Sequence, residues 1–334
     1  MVDTNEDSSI IYRSIKQDEH DQALNLWYSV FEEAKPGCFE RDFTNEGSPT
    51  REEDDTIGAW HNGKLVSAIH IRRVQLQSRD ENNVKYLCGG MSNVATLPDY
   101  RNQGISRNLL RMGIKQMEKE NKFDLSILGT GICKHYSVLG WEQMNVPTVM
   151  IIEWKNFDKI IDNTQWYATS EIIHREKQLL LDIYTKSPRE YQFDRSSSTF
   201  LEHFVGWNWQ LEKDIIYIYR ENQLGYIVIG KAEDIDNIYI SEWRAPNVDV
   251  EQKLFSVAVQ EIQRRQKQQT NNIRVHGLPQ HMTLNEFEQW AGKINIEYEN
   301  DMMIRNVQLP HEIFEKMKFA YSNGSATFWQ GDMF

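Results

Sequence analysis

The chain is poor in the features that mark several protein classes. It has three cysteines in 334 residues, Cys38, Cys88 and Cys133, odd in number and widely spaced. They make neither a disulfide framework nor a zinc pattern. The histidines show no His-x-x-x-His spacing, so no metal is expected. No apolar run approaches the ~20 residues that span a bilayer. One of the most apolar stretches, Val149–Trp154, already contains a glutamate. The first residues, MVDTNEDSS, lack a basic n-region and an apolar h-region, so no secretory signal is expected. Basic charge is scarce too: 37 Lys and Arg face 49 Asp and Glu, a net of −12. No basic patch is long enough to hold a phosphate backbone, which argues against a nucleic-acid partner. A cytoplasmic protein without membrane contact is the expectation.

What is present is material for burial. Hydrophobic residues are 40%, with 10 Trp, 14 Tyr and 14 Phe. That excludes disorder. The length exceeds what one core serves, so two domains are expected, 1–155 and 156–334. Residues 155–172 are polar and read as a linker.

The first half opens with a short edge strand at Ile10–Arg13. Ala23, Leu24, Trp27, Val30 and Phe31 then recur at helical spacing over His20–Glu33. Asn62-Gly63 joins Thr56–Trp60 to Lys64–Ile71 as a hairpin. Val84–Gly90 and Met91–Leu97 read as strand. Pro98 ends it, and an amphipathic helix follows from Ile105. Phe123–Leu128 is a strand, Cys133–Leu139 a short helix closed by Gly140. Trp141–Met144 and Pro147–Trp154 read as a final strand pair. The second half gives helices near Ile172–Thr185 and Ser198–Glu202, then a hairpin of Ile215–Arg220 and Leu224–Lys231. A strand at Asn237–Ala245, a long helix at Val250–Gln268 and a strand at Asn272–Leu278 follow. Leu284–Ala291 reads as helix, Ile294–Val307 as strand, His311–Lys316 as a short helix. Both halves share one order of elements. The fold class expected is α/β (α+β), a duplicated unit with mixed, mostly antiparallel sheets flanked by helices.

One segment carries chemistry. Val94–Ser106, VATLPDYRNQGIS, is a strand, a turn containing Gly104 and the start of a helix. Amides of such a turn and of a helix's first residues point outward without partners and suit a pyrophosphate. Gly104 and the small Ser106 let a phosphate approach the backbone. Arg101 and Arg107 add positive charge.

Arg101-Asn102-Gln103-Gly104-Ile105-Ser106 resembles the acyl-coenzyme A signature of the GNAT superfamily of N-acetyltransferases, Arg/Gln-x-x-Gly-x-Gly/Ala, with Ser106 in the last place. About thirty residues on, Tyr136-Ser137-Val138-Leu139-Gly140-Trp141 resembles the family's Tyr-x-x-x-Gly-Phe segment. The resemblance covers about residues 10–155. It implies acetyl-coenzyme A as co-substrate, its pantetheine arm along the backbone of Val94, Ala95 and Thr96. The same resemblance implies that Arg101, Asn102, Gln103, Gly104, Ile105, Ser106 and Arg107 hold the pyrophosphate. Strands Met91–Leu97 and Phe123–Leu128 would splay apart. Tyr136 would protonate the departing thiolate. Cys133 has no His/Asp partner pattern and is expected to be a bystander.

The second half lacks the phosphate loop: Arg244-Ala245-Pro246-Asn247-Val248-Asp249 has no glycine at the corresponding junction. It resembles the degenerate second lobe of Eis-type (enhanced intracellular survival) enzymes, without their sterol-carrier-like domain. In those enzymes the terminal carboxylate serves as general base, which would be that of Phe334. Glu32 or Glu33, acting through water, is the rival base and the expected acceptor contact. Residues 32–55 hold nine acidic against three basic residues, which would draw a cationic amine. The expected acceptor is a small molecule or peptide bearing a primary amine. A non-catalytic acyl-coenzyme A sensor and an inert scaffold are the alternatives.

Overall fold

The computed structural model describes residues 9–79, 84–120, 122–156, 166–221, 223–267 and 271–332. The first sheet begins with β1 (Ile11–Ser14), β2 (Thr56–His61), β3 (Lys64–Gln77) and β4 (Lys85–Thr96). Each is antiparallel to the next. Asn62 and Gly63 turn the β2–β3 hairpin with φ of 51° and 75°. Two positive φ angles match the twist of the flanking strands. β5 (Leu125–Gly129) then lies parallel to β4.

Two helices sandwich this sheet. α1 (His20–Val30) buries Ala23, Leu26 and Trp27 with Leu65, Ala68 and Ala95. α2 (Ile105–Glu120) buries Leu109, Leu110 and Met117 with Ile57, Ile69, Ile71 and Met91. Gly89 permits that approach, since a Cβ there would lie 2.5 Å from the Met117 sulfur. A five-residue α3 (Cys133–Ser137) follows β5.

Next come β6 (Glu142–Gln143) and β7 (Val146–Trp154), which do not form the expected pair. β7 lies in the second sheet, between Gly292–Glu299 and Asn272–His276. β6 pairs instead with Met302–Asn306, which inserts between β5 and β6 in the first sheet. The single strand expected over Ile294–Val307 is therefore two strands serving different sheets. Burial explains both placements. Met150, Ile152 and Trp154 fill the second core, while Met303 and Ile304 fill the first lobe's.

The second sheet continues through Tyr239–Arg244, Gly225–Gly230, Ile215–Tyr219 and Trp166–Ala168. Helix Val248–Arg265 covers it with Leu254, Phe255, Ala258 and Ile262. The helix expected at Ser198–Glu202 runs on through a π-turn, Leu201–Val205, to Leu211. The two lobes are tandem units of one design, mixed, mostly antiparallel sheets with flanking helices. No helix among the described residues is long and apolar enough to cross a membrane.

Candidate active site

β4 and β5 pair from Cys88 with Leu125 to Gly90 with Ile127 and then part. β4 runs on to Thr96 along β3. Its other edge, from Met91 onward, faces the gap. The ladder with β3 is also broken here, between Ala68 and His70. Asn93, opposite the break, has a φ of 53°. Such a bulge re-aims the backbone groups around it. Val94, Ala95 and Thr96 lie along this edge.

The edge leads directly to the turn before α2. Asn102 and Gly104 have φ of 62° and 78°. A Cβ at Gly104 would meet nothing within 4 Å, so the glycine serves backbone conformation and an open face. Arg101, Asn102, Gln103 and Gly104 are exposed, Ile105 is buried under the helix, and Arg107 stands in solvent. The first hydrogen bond of α2 is Asn108 N–H to Gly104 C=O, 3.1 Å. The amides of Ile105, Ser106 and Arg107 therefore have no partner inside the helix. Arg101 Nε donates to the Thr96 carbonyl, 3.1 Å, tying the turn to the strand edge.

α3 stands across the gap. The Ser106 hydroxyl shares a 3.3 Å hydrogen bond with His135 Nε2. The sequence reading missed His135; its place beside Tyr136 was the available signal. Burial and the Arg107 charge hold its pKa down. Tyr136 is buried, edge-on to His135 and Trp141. Burial pushes its hydroxyl up to about 12, with Thr130 as a hydrogen-bond partner. It stays protonated at neutral pH and can give a proton. Arg305, from the inserted strand, donates to the Leu139 carbonyl at 2.6 Å. Among the described residues Cys133 bonds to the carbonyls of Thr130 and Asn300.

Beyond the strand break lies a cluster that sequence reasoning also missed. Buried Asp42 accepts from Asn93 Nδ2 at 2.6 Å and pairs with Arg72. Arg72 and Arg41 both lie over the Phe204 ring of the second lobe. Arg41 also donates to Asn208 Oδ1, 2.8 Å, and burial brings its pKa down to about 10. The signal was an Arg-Arg pair set between Ile71 and Val74 in a strand rich in apolar residues. Glu32 and Glu33, just past α1, are exposed. Phe334 lies outside the described residues. Its neighbour Asp332 is buried, 2.8 Å from Arg195.

The description "Acetyltransferase (GNAT) domain" matches residues 11–144, the stretch that holds α1, the strand break, the turn and α3. The first lobe is a GNAT acetyltransferase domain. Acyl transfer is thus the activity class of this lobe. No curated protein sequence matches it. The two-lobed fold is shared more widely. A probable N-acyltransferase from Enterococcus faecalis has a TM-score of 0.67 at 17% identity, covering 90% of this chain and 72% of its own. Eis1 from Mycobacterium abscessus has 0.63 at 12% identity, covering 90% and 74%. A GCN5-related N-acetyltransferase from Anabaena variabilis has 0.63 at 13% identity, covering 90% and 73%.

Among the described residues the second lobe carries no comparable turn. Asn247 caps its long helix through Val250 N–H, with extended backbone and no glycine. Asp249 stands in the first turn of that helix, where it would repel a pyrophosphate. Among the described residues the lobe supports the candidate site through the Phe204 ring, through Asn208, which accepts from Arg41, and through Arg305, which donates to the Leu139 carbonyl.

Proposed function

We propose that the chain moves an acetyl group from acetyl-coenzyme A to a primary amine by direct attack in a ternary complex. The observation that carries this reading is the gap between β4 and β5, opening onto the turn at Asn102–Gly104. The pantetheine arm would lie along Val94, Ala95 and Thr96. Arg101 to Arg107, with the amides of Gln103, Gly104, Ser106 and Arg107, would hold the pyrophosphate. His135 would steady that turn through Ser106.

The amine nitrogen attacks the thioester carbonyl and a C–N bond forms. A backbone N–H on the open β4 edge would meet the oxyanion. The C–S bond then breaks, and Tyr136 gives its proton to the thiolate. The amine's proton would pass to the terminal carboxylate at Phe334, or through water to Glu32 or Glu33. The exposed carboxylates Glu32, Glu33, Glu53 and Asp54 favour an acceptor that arrives as a cation. Other members of that acidic run are spent internally. Asp42 faces Arg72 and Asp55 faces Arg73.

The test is thermal unfolding with and without acetyl-coenzyme A, on the native chain and on Gly104→Glu. Ligand at 100 times its Kd adds about 2.7 kcal/mol, a shift of several degrees. The native chain should shift and the variant should not, each judged against its own unliganded midpoint. No shift in the native chain would sink the reading.

A further inference from the structure

An imbalance of charge lies buried beside the strand break. In the second lobe the buried arginines Arg189, Arg195 and Arg244 are offset by Glu242, Glu251 and Asp332, all buried nearby. In the GNAT lobe Arg41 and Arg72 have Asp42 alone between them among the described residues. Arg72 is 3% exposed, and its Nε and Nη1 have no hydrogen-bond partner among the described residues. Leaving such donors buried and unmade is costly. Both forks of the guanidinium run through Nη2, which Asp42 holds, so each unmade donor has room for a single oxygen of an anion.

Arg72 also lines a cavity of about 120 Å³ at the seam between the lobes. Thr50, Gln75 and Phe193, which pairs with Leu76 of β3, line it from the first sheet, Ser197 and Phe200 from the second lobe. Asp42 links the arginine to Asn93, so the acid-binding group stands one side chain from the strand break.

We infer that Arg72, backed by Arg41, binds the carboxylate of an acceptor that carries an acid group near its amine, an amino-acid-type substrate. This rests on the acetyl-transfer reading and narrows its acceptor. A zwitterion answers both sides of the site. The ammonium is drawn by the exposed carboxylates, and the carboxylate is held by the arginine.

The test uses the native protein with saturating acetyl-coenzyme A and follows thiol release. The acceptors are the common amino acids, each beside its own carboxamide. At least one acid should be used with kcat/KM tenfold or more above its amide. In Arg72→Gln that ratio should fall to about twofold. The acid–amide comparison stands on the native chain even where the variant does not fold. Melting shifts are read in parallel. A shift with acetyl-coenzyme A and no preference for any acid overturns this inference and leaves acetyl transfer standing. No shift with acetyl-coenzyme A sinks acetyl transfer itself. A preference that Arg72→Gln keeps intact overturns the role of Arg72.

Discussion

Tyr136 does its proposed work because of where burial leaves its proton. Its hydroxyl is held up at about 12 by desolvation, so it is a donor throughout the range in which enzymes are assayed. Tyr136→Phe keeps the ring that packs on Trp141 and removes only the hydroxyl. The expected result is a kcat lower by about 100-fold or more, with the acetyl-coenzyme A melting shift unchanged. An equal kcat would remove Tyr136 from the chemistry. The raised pKa also fixes a sign. Activity lost through Tyr136 ionisation appears only on the alkaline side, above the ordinary tyrosine value of about 10. Some features of the candidate site were readable from sequence for a local reason. Gly104 needs a positive φ, and Tyr136 lies at a fixed distance from it along the chain. Asp42, Arg72 and Asn93 were not readable, because their partnership spans the sheet and no local spacing encodes it.

α3 is too short to hold itself, and its position comes from its ends. Gly140 has a φ of 90°, and a Cβ there would collide with the Arg305 guanidinium. That guanidinium is what grips the Leu139 carbonyl. Gly140→Ala should therefore cost more than backbone strain alone, about 1–3 kcal/mol for a residue forced into this region. Gly63→Ala is the control, with a φ of 75° and open space around it. Urea midpoints of the two variants separate strain from collision. The Gly140 variant should lose more stability, and kcat with it, because Arg305 and the Tyr136 helix must move together. Equal losses would mean that Arg305 yields freely. Helices and hairpins were legible because their signals are local: the period of Leu109, Leu110 and Met117, or Asn62-Gly63. The destination of a strand was not. β7 has the apolar run of a buried strand, but nothing within it names its neighbours.

At the scale of the molecule the exchange of strands makes the lobes interdependent. The first lobe's sheet is completed by Met302–Asn306, whose five residues pair with β5 from Leu125 to Gly129. The second lobe's sheet is completed by β7, held on both sides. The cut that the sequence suggests, after residue 155, would leave the first fragment with β7 unpaired and β5 with an open edge. Ile127 and Leu128 would sit on that edge, the kind that recruits other chains. The fragment 156–334 would lack the strand between Gly292–Glu299 and Asn272–His276. Each fragment expressed alone should aggregate or melt without a cooperative transition, and residues 1–155 should show no acetyl-coenzyme A shift. Produced together, the two should associate and regain the shift, because each carries the other's missing strand. The intact chain should unfold in one transition by fluorescence and by far-UV dichroism alike. A soluble first fragment that melts cooperatively and binds acetyl-coenzyme A would show that the exchange is ornament. The duplicated order of elements was visible in the sequence, but this coupling was not, since it lies in which sheet each strand joins.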